Sequence, residues 1–142
     1  MRRVILVILA VVVVAQLVPV SRTNPPVTAE IAAPDDVRVL LRRACYDCHS
    51  HETRWPWYAW VAPASWLVAH DVHEAREELD FSAWDTQRRR RKKLLEIVEV
   101  LEEGEMPLWY YLPFHGEAVL SADEQARLVD WAHAERTRLR RR

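Results

Sequence analysis

Residues 4–18 form an apolar run broken only by Gln16, and Arg2 and Arg3 stand ahead of it. As a helix, at about 1.5 Å per residue, the run reaches roughly 22–26 Å, short of the ~30 Å hydrocarbon core of a bilayer. Two arginines before such a run are an export pattern, and residues 17–21 offer no small-residue cleavage site. Residues 1–20 are therefore expected to form an uncleaved transmembrane signal anchor. A cleaved signal peptide and a buried core segment are the alternatives. The basic flank keeps the N-terminus in the cytoplasm and sends the rest of the chain outside, so the expected address is the extracytoplasmic side of a membrane.

Residues 21–34 carry three prolines and no apolar periodicity, and read as a stiff extended tether. The folded domain is expected over 35–142. Four helices can be placed there. The first spans about 35–48, with Asp35 and Asp36 at its positive end and Val37, Leu40, Leu41, Ala44 and Cys48 along one face. The second opens at Pro63 and runs to about 79. Ser82 with Asp85 resembles a capping box for a third helix ending at Gly104, and Ser121 with Glu124 is a cleaner box for the fourth. Loops 49–62 and 104–120 are long and aromatic, and need something to pack on.

Composition narrows the picture. Two glycines in 142 residues leave little material for hairpins, a phosphate-cradling loop or a dinucleotide fingerprint, so an all-α fold is expected. Beyond residue 20 there are 18 basic and 21 acidic side chains, although residues 88–93 form an unbroken basic run and five arginines crowd the tail. A nucleic-acid footprint should dominate the net charge rather than be outnumbered, which argues against that partner. The basic run reads instead as a solvated helix face continuing into Glu96, Glu99 and Glu103.

One motif carries chemistry. Cys45-Tyr46-Asp47-Cys48-His49 is C-x-x-C-H, the attachment pattern of c-type haem. Thiols at i and i+3 of a helical turn share a face and can each reach one porphyrin vinyl group, while the following histidine is placed to bind iron axially. A redox dithiol would want a strand before the motif. Structural zinc would want a second ligand pair beyond Cys45, Cys48, His49 and His51. For the opposite face of the iron the candidate is Met106, in Gly104-Glu105-Met106-Pro107, because the only other methionine is Met1. His115 is the alternative on the same loop, His70 and His73 on the second helix are others, and an open site is the last. His51 and His133 read as surface residues. The His49 ring N–H should go to a backbone carbonyl, with Pro56 and Pro63 the nearby choices.

With these parts in order, the chain resembles class I cytochromes c, and more closely the bacterial haem-binding-domain proteins with a short N-terminal anchor. The matching stretches are residues 22–26, 44–50, 55–58, 63–66, 81–84, 104–107 and 120–124. His51 departs from the pattern where a neutral polar residue is expected. The resemblance implies a cytochrome c-like all-α domain around one covalent haem c, with its iron between His49 and Met106. The expected role is single-electron transfer to a redox partner protein, with no small-molecule substrate; a haem enzyme or sensor with a displaceable sixth ligand is the alternative. The porphyrin would give the abundant tryptophans a flat apolar body to pack around, Trp55, Trp57 and Trp66 first among them, with Trp60, Trp84 and Trp109.

Overall fold

The computed structural model describes residues 1–141; Arg142, the last of the basic tail, lies outside them. The described residues are helical and hold no strand: α1 (Arg2–Gln16), α2 (Asp35–Ala44), α3 (Tyr46–His49), α4 (Ala64–Glu78), α5 (Arg90–Glu102) and α6 (Ala122–Arg140), with short 3-10 turns at Trp57–Trp60, Leu112–Phe114 and Gly116–Ala118. The core forms where α5 and α6 pack side by side and α2 packs against α6. Leu94, Ile97, Val98 and Leu101 of α5 meet Leu128, Trp131 and Ala132 of α6 and Val37, Leu40 and Leu41 of α2.

The helix ends follow local chemistry. At α6 the capping box is complete: Glu124 N–H donates to Ser121 Oγ (3.3 Å) and Ser121 N–H to the Glu124 carboxylate (2.8 Å). Asp35 and Asp36 open α2 and Arg42 and Arg43 close it, each complementing the helix dipole. The helix expected over 35–48 is broken at Cys45, where φ is −125°, and resumes as the single turn α3.

The third helix starts later than its apparent capping box. Ser82 is fully buried and its groups are used elsewhere: its Oγ accepts from His51 N–H (2.9 Å), its N–H donates to Asp80 Oδ1 (2.8 Å), and its carbonyl accepts from Thr28 and Ala29. Asp85 closes a local turn on Thr86 N–H (2.9 Å). Helical geometry begins only after Arg89, which takes a left-handed φ of 55°. Within α5 the basic run behaves as expected of a solvated face, with Lys92 and Lys93 paired to Glu96.

Residues 21–34 are extended, but they are not a free tether. Thr28 and Ala29 N–H donate to Ser82 O, Ile31 N–H donates to Phe81 O, and Trp84 N–H donates to Ala29 O, so the segment runs as a strap along 81–84. Ile31 is a core residue, and Glu30 accepts from Arg42 and from Tyr46 Oη.

Helix α1 buries none of its residues and no other helix packs on it. Among the described residues no helix is long and apolar enough to cross a membrane. The fifteen residues of α1 form a shorter helix than the transmembrane anchor expected of residues 1–20.

Candidate haem-binding site

The single turn α3 sets the motif. Cys48 N–H (3.2 Å) and His49 N–H (2.9 Å) both donate to Cys45 O, which places the two thiols on one side of the turn. Both cysteines are free, and both line a cavity of about 580 Å³, within the usual size of a cofactor pocket. Burial pushes each thiol up to about 12. A redox-active dithiol needs the opposite shift.

His49 is half-buried and oriented. Its Nδ1 lies 2.9 Å from Ala75 O and 3.1 Å from Leu79 O, at the C-terminal end of α4. Carbonyls only accept, so Nδ1 carries the proton and the Nε2 lone pair is left for a metal. Burial holds the imidazole pKa below its ordinary value, which keeps the ring neutral. Pro56 and Pro63 do not take this proton. Their carbonyls accept from Ala59 and Trp66 N–H instead (3.0 Å each). The His49 carbonyl accepts from Phe81 N–H (2.8 Å), and the Phe81 ring stands edge-on to the imidazole and stacked on Tyr46, which joins the motif to the core.

Met106 lines the same cavity and is half-buried. The preceding turn explains its placement. Gly104 takes φ +70° after α5, and Glu105 and Met106 N–H both donate to Val100 O, folding the chain back over the helix end. The structure therefore gathers Cys45, Cys48, His49 and Met106 around one space.

The alternative ligands fall differently. His115 lines the cavity, but its Nε2 lies 2.7 Å from Tyr58 Oη, and its ring stacks on Tyr111 at 3.9 Å between centroids and 5° between planes. Tyr111 Oη in turn donates to Asp47 within the motif (3.0 Å). Through this cluster the two long loops pack on each other and on α3. His70 is exposed on the cavity wall; His73 is exposed and off it, 3.2 Å from Glu77. His133 is exposed on α6, as expected. His51 is not a surface residue: it is largely buried, with Nε2 2.7 Å from Asp80 and Nδ1 2.8 Å from Pro26 O. Among the described residues no three His, Cys, Asp or Glu side chains gather as a metal cage.

The tryptophan expectation needs correction. Trp57 lines the cavity, whereas Trp55 and Trp66 do not. Trp60 and Trp109 are exposed away from it, and Trp84 belongs to the core. The apolar wall is built instead from Ala44, Leu67, Val68, Val72, Leu108 and Phe114. Sequence reasoning also missed Tyr58, Tyr111 and Arg76. Arg76 donates to Ser50 O, Thr23 O, Asn24 Oδ1 and Thr53 Oγ1 at 2.8–2.9 Å, and so ties the strap to the loop after the motif.

These residues fit a haem. An apolar cavity offers two protonated thiols on one turn and a neutral imidazole with a free Nε2, and a thioether lines the same cavity. Comparison with known proteins supports the binding of haem. Neither the curated proteins nor the solved structures gave a match. The family model described as haem-binding domain matches residues 8–134, nearly the whole sequence, and the chain belongs to that family.

Proposed function

We infer that the chain is a monohaem c-type cytochrome, held at the extracytoplasmic face of a bacterial membrane by residues 1–20, that passes single electrons to a redox partner protein. The observation that carries this reading is the convergence of Cys45, Cys48, His49 and Met106 on one apolar cavity. A bound haem supplies a one-electron iron couple. Each thiol would add its S–H across a vinyl double bond, forming a thioether with no leaving group. His49 Nε2 and Met106 Sδ would hold the iron, and thioether ligation would raise the potential above that given by a second imidazole. The Ala75 and Leu79 carbonyls fix the His49 tautomer, and the apolar wall excludes water.

The test is spectroscopic. Purified protein should give a pyridine haemochrome of c type, and the oxidised form should show the far-red iron–methionine band. Met106→Ala should abolish that band. Its persistence in the variant removes Met106 from the ligand set, and haem extractable into acidic organic solvent removes the covalent attachment.

One observation favours a second reading, a haem enzyme or sensor with a displaceable sixth ligand. The Tyr58–His115 pair places a hydrogen-bonded phenol and imidazole on the cavity wall. Rapid binding of carbon monoxide by the reduced wild type, or a high-spin spectrum, would favour it over electron transfer.

A further inference from the structure

The three bulky apolar side chains Trp60, Val61 and Trp66 are 61%, 47% and 40% exposed, and none of them lines the cavity. Trp57, Leu67 and Phe114 are exposed too, but they belong to the cavity wall. A cluster of this kind on a small domain marks a contact surface. Its place in the chain says what the contact is.

The cluster is built on the segment that receives the end of α1. Gln16, the last residue of α1, brackets Ala62 with both ends of its amide: Ala62 N–H donates to Oε1 (3.0 Å), and Nε2 donates to Ala62 O (3.4 Å). Six residues on, Arg22 donates to Ala59 O (3.2 Å) and lays its guanidinium 4.2 Å over the Trp60 ring. Ser65 N–H to Val61 O (2.9 Å) and Trp66 N–H to Pro63 O (3.0 Å) fold Trp66 back onto the same turn. The exposed cluster therefore continues directly from an apolar helix whose side chains, Val4 to Val14, are all without protein cover.

We propose that Trp60, Val61 and Trp66 form a membrane seat, by which the domain rests in the headgroup and upper acyl region of the same phospholipid bilayer that takes α1. The inference rests on residues 1–20 being the membrane anchor. Tryptophan is the residue of the water–hydrocarbon boundary, where its ring is apolar and its N–H remains wet, and a flanking arginine suits the phosphate level. Length supports the same placement. A fifteen-residue helix spans ~22 Å, and a domain immersed by the ~5–10 Å typical of interfacial segments makes up much of the shortfall against a ~30 Å core.

The test uses the full haem-loaded chain with vesicles of phosphatidylethanolamine and phosphatidylglycerol. A ketone-bearing amino acid placed at position 61, and at exposed position 134 on α6 as the control, carries a nitroxide without involving the cysteines. After co-sedimentation, the label at 61 should be more accessible to oxygen than to a water-soluble nickel complex, and the label at 134 should show the reverse. A protein that sediments while the label at 61 stays as nickel-accessible as that at 134 overturns the seat, keeps the anchor, and leaves the cluster to a protein partner. A protein that stays in the supernatant overturns both.

Discussion

Arg76 offers the sharpest test of how the site is held together, because its four acceptors belong to two stretches of chain far apart in sequence, 23–24 and 50–53. Replacing it with Met keeps the aliphatic stem and removes every donor. Thr23 O and Asn24 Oδ1 lie on exposed residues and regain water at little cost. Ser50 O and Thr53 Oγ1 belong to buried residues and do not. A buried acceptor stripped of its partner costs about 1–3 kcal/mol, so two of them set the loss for Arg76→Met at about 4 kcal/mol. That is a large share of the ~5–15 kcal/mol by which ordinary domains are stable. For a chain of this length it should lower Tm by roughly 12 °C. Urea unfolding followed by far-UV circular dichroism on the haem-loaded protein measures the first quantity, and a thermal scan the second. Arg76→Lys, which keeps the charge but reaches fewer acceptors, should fall between the two. Limited proteolysis adds a positional readout, since cleavage within 21–34 should accelerate in the Met variant before cleavage elsewhere. A loss for Arg76→Met below about 1 kcal/mol, no larger than that of one ordinary hydrogen bond, would refute the account of these bonds as the fastening of the strap.

Phe81→Ala removes a fully buried ring that touches both Tyr46 and His49; it should cost about 3–5 kcal/mol in urea titration, and Phe81→Leu much less. Glu124 is held down to about 2 by the Arg43 guanidinium and the Ser121 N–H, against an ordinary 4.5. A depressed carboxylate contributes stability that is full above the ordinary value and lost as pH falls toward the depressed one. The Tm gap between wild type and Glu124→Gln should therefore be constant from pH 7 to about 5 and close between about 4.5 and about 2; a gap unchanged at pH 2 contradicts the pairing. The two glycines should part company: Gly104→Ala forces a side chain into φ +70° and should destabilise by about 1 kcal/mol, whereas Gly116→Ala meets open space at an ordinary φ and should be neutral or slightly stabilising by thermal melt.

What could be read from sequence was local. The C-x-x-C-H motif, the complete capping box at Ser121 and the single interior methionine each depend on residues a few positions apart, and the structure places them accordingly. The misplaced start of α5 shows the limit of that approach. Ser82 and Asp85 have capping-box spacing, but Ser82 is claimed by partners from residues 28 and 51 that no local rule reveals. His51 looked like a surface histidine because nothing nearby in sequence explains it; its partners are Asp80 and Pro26, both more than twenty positions away. The abundance of tryptophan points to a large flat body to pack on but not to which rings meet it. Size does not separate Trp57 on the cavity wall from Trp84 in the core or Trp60 beside the end of α1. The strap was the largest omission: three prolines and no periodicity describe an extended segment equally well whether it swings in water or lies bonded along residues 81–84.

That strap governs reach. A free fourteen-residue linker would let a domain sweep a wide volume, so that a tethered carrier shuttles between a donor and an acceptor and its rate is set by how often the arm swings. Here the linker is consumed: Arg22 is fastened at Ala59, Asn24 at Thr53, Thr28 and Ala29 at Ser82, and Ile31 in the core. No slack is left between the end of α1 and the haem-binding domain. The cavity keeps one fixed bearing to that helix, and whatever approaches its mouth meets it at a set distance and angle from the end of α1.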